Sequence, residues 1–125
     1  MINDILLYIG SIVITMWGIG HIIPTKSVVS GFGTISEDNK RIITMGWIAE
    51  GLTLCFIGLL VLFITIWGRS QNPIAINVYR ASALMLIIMA VLTSLTGART
   101  SVIWIKICPY VKTIVAVLFI LGVYL

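Results

Sequence analysis

Four apolar runs dominate the sequence, and each approaches or exceeds the ~20 residues that a helix needs to cross a bilayer. The predicted helices extend from about 5 to 23, 37 to 67, 74 to 97 and 102 to 125. Hydrocarbon offers no hydrogen-bond partners, so only helices or closed barrels satisfy the backbone there, and these runs lack the alternation of barrel strands. The sequence therefore predicts an all-α membrane protein, a four-helix transmembrane bundle formed by one domain over residues 1–125.

The composition excludes other classes of protein. Hydrophobic residues make up 60% of the chain and charged residues 10%, whereas soluble domains have about 25% charged residues. The net charge of +4 fits Lys and Arg beside a membrane better than a nucleic-acid surface, because no basic patch alternates with exposed aromatic residues. We therefore expect membrane lipid, and no nucleic acid, among its partners.

The connections between the runs differ in length. Residues 24–35 form the one substantial loop, while residues 68–73 form a tight turn that makes the second and third helices antiparallel neighbours. In the last run, Pro109 either kinks a helix that begins near Val102 or sits in the first turn of a helix that begins later.

Polar residues gather at one end of the predicted bundle. Trp47 and Trp67 lie about 30 Å apart at ~1.5 Å per residue, which is the spacing of two aromatic belts. Glu50 then lies roughly 4 to 5 Å inside one belt, and His21, near the end of the first helix, lies at a similar level. The last two helices bring to the same end Thr93, Ser94, Thr96, Arg99, Lys106, Tyr110 and Lys112.

Small and hydroxyl residues at helical spacing indicate which faces meet, because they let membrane helices approach closely. The series are Ser11, Thr15, Gly18 and His21 or Ile22 in the first helix; Gly46, Glu50, Thr53 and Ile57 in the second; and Arg80, Ala83, Ile87, Ala90, Ser94 and Gly97 in the third. We therefore expect His21 and Glu50 to face each other inside the bundle.

Glu50 has two interpretations. A charge within a spanning helix costs about 2.5 to 3.5 kcal/mol on insertion scales, which makes Glu50 a candidate for ligand or proton chemistry. It could equally be a structural lock that pairs with His21, Lys112 or Arg99. Under the functional interpretation, Glu50→Gln leaves assembly intact and abolishes pH-dependent binding of a ligand or partner.

These residues predict a polar pocket that binds a ligand and has no catalytic residue. The predicted ligand-binding residues are His21, Glu50, Thr53, Ser94, Arg99, Tyr110 and Lys112. With one histidine, no CxxC motif, and Cys55 and Cys108 at different depths, we expect no metal, no cofactor and no disulfide within the chain. Arg80 lies towards the opposite end and should anchor at that interface.

The distribution of basic residues predicts the orientation. The polar end carries Lys26, Lys40, Arg41, Arg99, Lys106 and Lys112, and the other end carries Arg69 and Arg80. The positive-inside rule therefore places the polar end in the cytoplasm and both termini outside, and we expect the plasma membrane.

The segment WGIGHIIP ends the first helix, a loop follows, and WIAEG places a glutamate early in the second helix. This plan resembles the broad DoxX-like group of small four-helix membrane proteins, which includes subunits of quinone-linked oxidoreductases. The chain length and the membrane carboxylate also resemble the small multidrug resistance exporters, but the AExxW motif of their first helix is absent here.

Two functional hypotheses follow. The first is a non-catalytic accessory subunit or ligand-binding module whose pocket takes a lipid, a quinone or another hydrophobic small molecule, within a larger membrane complex or a homo-oligomer. The alternative is a dimeric proton-coupled transporter in which Glu50 alternates between a proton and a cationic substrate. An enzyme that uses His21 and Glu50 as acid and base would lack any nucleophile or cofactor motif.

Overall fold

Helices account for most of this computed structural model, which describes residues 2–68 and 71–125. The helices are α1 (Ile2–Ile22), α2 (Thr25–Ser30), α3 (Glu37–Trp67), α4 (Pro73–Leu95) and α5 (Ile103–Tyr124), and a single 3₁₀ turn (Gly97–Arg99) precedes α5. No strand occurs in these two segments. The predicted fold class, an all-α four-helix bundle, is confirmed.

Local sequence explains where two of the long helices begin. Ser36 caps α3, because its hydroxyl accepts a hydrogen bond from the backbone N–H of Asn39 at 3.1 Å. Asn72 caps α4 by accepting from the N–H of Ile74 at 2.9 Å, and Pro73 occupies the first helical position, where no donor is needed. Helix starts are therefore encoded in short segments of the chain.

Two segments of the structure bear on the predictions made from the sequence. The predicted loop at residues 24–35 contains the short helix α2. Pro109 lies inside α5, which begins at Ile103, so the alternative with a continuous helix from near Val102 is the one observed. Because proline has no N–H, it cannot complete the hydrogen bond to the carbonyl group four residues earlier.

The four long helices α1, α3, α4 and α5 are each long and apolar enough to span a membrane within the described part of the chain. The chain is therefore a small integral membrane protein. With 31 residues, α3 extends about 46 Å at ~1.5 Å per residue, which exceeds the ~30 Å hydrocarbon core. Arg69, which contributes to the predicted orientation, lies outside the described residues.

The four long helices follow one another around the bundle in the order of the chain, but they pack unevenly. α1 packs extensively against α3 and α5, and α4 packs against α5, whereas few contacts join α3 to α4 although they follow each other in sequence. The fully buried core contains Leu7, Ile14, Leu54, Val61, Tyr79, Leu86, Val115 and Phe119. One side of the bundle, between α3 and α4, is consequently loosely packed.

Glycines bring α1 and α3 into close contact. A β-carbon at Gly58 would overlap the hydroxyl of Thr15 and would lie 2.8 Å from the carbonyl oxygen of Ser11. A β-carbon at Gly18 would lie 2.8 Å from the carbonyl oxygen of Gly51. Both obstacles include backbone atoms, which cannot rotate away, so these positions require glycine for the helices to approach this closely.

Gly58→Ala should therefore push α1 and α3 apart. We expect it to lower the free energy of unfolding by about 1–3 kcal/mol, the usual cost of overpacking. Gly46→Ala is the matched control on the same helix, because a β-carbon there meets no atom within 4 Å. Thermal unfolding in detergent compares the two variants, and equal stability would contradict this account of the α1–α3 interface.

Candidate functional site

A buried ion pair lies at the polar end of the bundle, where α1 and α4 end and α3 and α5 begin. The ammonium group of Lys112 on α5 is fully buried and donates hydrogen bonds to Oε1 of Glu50 on α3 and, at 2.8 Å, to the hydroxyl of Thr93 on α4. The hydroxyl of Thr93 in turn donates to the carbonyl oxygen of Met89 at 2.9 Å. Lysine is almost never fully buried unless it is paired, and here it links three helices.

His21 brings α1 to the same carboxylate. Its Nε2 lies 3.1 Å from Oε2 of Glu50, which is an ion-pair distance, although Nε2 makes no aligned hydrogen bond. The Trp47 ring stacks on the imidazole with centroids 3.9 Å apart, and its Nε1 donates to the carbonyl oxygen of His21 at 2.6 Å. The imidazole side chain is 9% exposed, so its position beside Glu50 is fixed on several sides.

A cleft of about 1080 Å³ opens beside this network. Residues of α1, α3, α4 and the start of α5 form its walls, on the loosely packed side of the bundle. Most of the lining is apolar and includes Ile12, Val13, Met16, Met85, Met89, Leu92, Val102, Trp104 and Ile105. Polar side chains form the remainder: His21, Glu50, Thr53, Thr93 and Thr96. The volume is slightly above the range of about 300–1,000 Å³ that is typical of small-molecule sites.

The predicted ligand-binding residues separate into groups. His21, Glu50 and Thr53 line the cleft, and Lys112 lies behind Glu50. The other three lie elsewhere. Ser94 and Tyr110 line a second, separate groove of about 530 Å³ between the end of α4 and α5, and Arg99 is exposed on the 3₁₀ turn without lining either space.

The helical spacing of small and hydroxyl residues predicted that Ser94 faces the interior of the bundle. In the structure, its neighbour Thr93 occupies that position and bonds Lys112. Thr93 is 9% exposed and bonds Lys112, whereas Ser94 is exposed on a different face. Adjacent residues of an α-helix point about 100° apart, since 3.6 residues make one turn. Because Thr93 and Ser94 are adjacent hydroxyl residues, a series with steps of three or four residues can include either of them. The sequence therefore predicts that this part of α4 has a polar face, but it does not fix the rotation of the helix about its axis.

The opposite end of the bundle has its own polar contacts. Thr65 and Tyr79 share a hydrogen bond of 2.9 Å between their hydroxyl groups. Arg80 donates to the hydroxyl of Tyr124 at 3.2 Å and lies 5.5 Å from the centre of its ring. Arg80 therefore stays at its own end of the bundle and is not a partner of Glu50.

Cys55 and Cys108 are free thiols. Within residues 2–68 and 71–125, no three His, Cys, Asp or Glu side chains come together as a metal-binding group.

In comparisons with known proteins, the chain matches no family model, no curated protein and no solved structure. The function is therefore inferred from the geometry of the chain itself.

Glu50→Gln should destabilise the protein, in contrast to the expectation from sequence that assembly stays intact. The amide would leave the buried Lys112 ammonium without a counter-charge. We expect a loss of about 3 kcal/mol of unfolding free energy, because breaking a buried pair costs roughly 3–5 kcal/mol and Glu50 is partly exposed. Thermal unfolding in detergent measures this loss.

Two further variants make this test specific. Glu50→Gln combined with Lys112→Met removes both charges and should recover most of the lost stability. Glu37→Gln on the same helix removes an exposed carboxylate, 3.6 Å from Lys40, and should leave stability unchanged. Equal stability of the Glu50→Gln and Glu37→Gln variants would contradict the structural role of the buried pair.

Proposed function

We propose that this small integral membrane protein is a non-catalytic module that binds a neutral hydrophobic molecule with a hydrogen-bonding head, such as a quinone or an uncharged lipid. The cleft of about 1080 Å³, with apolar walls and one polar corner, is the observation that carries the proposal. Such a distribution of polar and apolar groups suits a guest that is apolar along most of its length.

The walls of the cleft suit entry from the bilayer. Met16, Leu92 and Trp104 line the cleft and are also exposed on the outer surface of the bundle. A hydrophobic guest can therefore pass between lipid and cleft without crossing water. Met85 and Met89 contribute flexible thioether side chains, which adapt to guests of irregular shape.

The polar corner favours an uncharged head. Glu50 already has Lys112 as its counter-charge, so an ionic guest would add an uncompensated charge to a partly buried site. The hydroxyl of Thr53 donates to the carbonyl oxygen of Ala49 at 2.8 Å, which leaves its oxygen free to accept a hydrogen bond. Nε2 of His21 is buried beside Oε2 of Glu50 and is closed to a guest. The Thr53 hydroxyl can therefore accept from a hydroxyl of the guest, or turn away from Ala49 and donate to a carbonyl of the guest.

The DoxX-like resemblance and the role of accessory subunit belong to the same proposal. A small subunit that holds a quinone or lipid could deliver it to a larger membrane protein, and copurification in mild detergent tests that role. The cytoplasmic position of the polar end is also part of this proposal, and cysteine labelling from one side of the membrane tests it.

The alternative, a proton-coupled transporter, stays a prediction. It requires the Glu50 carboxylate to exchange a proton for a cationic substrate. Protonation of Glu50 would leave the fully buried ammonium of Lys112 without its anion. This cost disfavours the alternating use of Glu50, whereas binding of a neutral guest leaves the pair intact.

Quinone binding can be measured by quenching of tryptophan fluorescence, since Trp17, Trp47 and Trp104 line the cleft. We expect saturable quenching by a benzoquinone that carries a decyl tail. Gly46→Phe should weaken binding at least tenfold, because Gly46 lines the cleft and a side chain there enters open space. A tenfold change corresponds to about 1.4 kcal/mol.

Leu59→Phe is the matched control, because Leu59 lies on the same helix, is exposed and does not line the cleft. This variant should bind like the original chain. Decyltrimethylammonium and decyl phosphate carry the same tail on charged heads and should compete poorly. Equal binding by both phenylalanine variants, or stronger binding of a charged competitor, would contradict the proposal.

A further inference from the structure

We propose that the groove between the end of α4 and the start of α5 binds an anionic phospholipid, with its phosphate at Lys106 and an acyl chain along α5. The groove has a volume of about 530 Å³ and shares no lining residue with the cleft. It is therefore a second site, independent of the function proposed for the cleft.

One face of α5 forms most of this groove. Lys106, Pro109, Tyr110, Thr113 and Ile114 recur at steps of one, three or four residues and line the same space. Residues at such spacing lie above one another on a helix. Ser94 and Ala98, from the end of α4 and the 3₁₀ turn, form the opposite wall.

The donors of the groove are available to a ligand. Within the described residues, the ammonium of Lys106 has no ion pair, and the hydroxyls of Ser94 and Tyr110 have no hydrogen bond. An ammonium and hydroxyl groups are the side chains expected around a phosphate. The hydroxyl of Thr113 differs, because it donates to the carbonyl oxygen of Pro109 at 2.8 Å.

The charges favour an anionic over a zwitterionic lipid. Among the described residues, no carboxylate lines the groove. The acidic residues at this end, Glu37, Asp38 and Glu50, all lie on α3, which contributes no lining residue to the groove. A choline or ethanolamine head would therefore find no counter-charge beside its phosphate, whereas a glycerol head carries no positive charge.

The depth of the groove favours a lipid over a free phosphate ester. Trp104 and Lys106 lie in the first turn of α5, where aromatic and basic residues meet the headgroup region. Tyr110 and Ile114 follow one and two turns further into the membrane and are 71% and 59% exposed. A phosphate at Lys106 can therefore continue as an acyl chain over this apolar surface.

Native mass spectrometry of the full chain in non-ionic detergent tests the proposal. We expect dioleoyl phosphatidylglycerol to bind more tightly than dioleoyl phosphatidylcholine. Lys106→Gln should weaken phosphatidylglycerol binding roughly fivefold, the effect of one basic residue at an anionic membrane surface. Because Lys106 is exposed, this variant should keep the unfolding temperature of the original chain.

Lys26→Gln is the matched control, since Lys26 is an exposed cation on α2 that does not line the groove. It should leave lipid binding unchanged. Equal weakening by both substitutions would show general charge attraction and overturn the site. Equal binding of the two lipids, or displacement of phosphatidylglycerol by soluble glycerol phosphate, would overturn the choice of an anionic lipid.

Discussion

The ammonium group of Lys112 is withdrawn from solvent, and a charge in such a position requires an anion beside it. Glu50 supplies that anion and so connects α5 to α3, while Thr93 adds α4 through a further hydrogen bond. Since α3 and α4 have few direct contacts, this network joins them at the polar end across the side of the bundle where the cleft opens. The helices can therefore be held together without closing the cleft.

The pairing of Glu50 with Lys112 also makes the cleft and the neighbouring groove differ in net charge. In the cleft, the charges of Glu50 and Lys112 compensate each other, which leaves the uncharged hydroxyl of Thr53 to bind a guest. The groove on the outer face of α5 contains Lys106, and no carboxylate from the described part of the chain lines it. Two sites at one end of a small bundle can thus attract different molecules, a neutral one from the bilayer interior and an anionic one from its surface.

Tight and loose helix contacts are distributed unevenly, and this shapes the cleft. Gly18, Gly51 and Gly58 allow α1 and α3 to approach closely, and α5 packs against both α1 and α4. The cleft lies on the remaining side, where α3 and α4 contact each other little. Its volume therefore results from the weak contact between α3 and α4, although these helices follow each other in the chain.

The sequence by itself determined the four spanning helices, their approximate ends and the meeting of His21 with Glu50 at one end. These features follow from hydropathy, caps and membrane depth, which are local properties of the chain. The tertiary structure decided that Lys112 is the cation at Glu50 and that Thr93, not Ser94, completes the network. Those choices depend on helix order and on rotation about each helix axis, where one residue changes direction by about 100°, and only packing between helices fixes both.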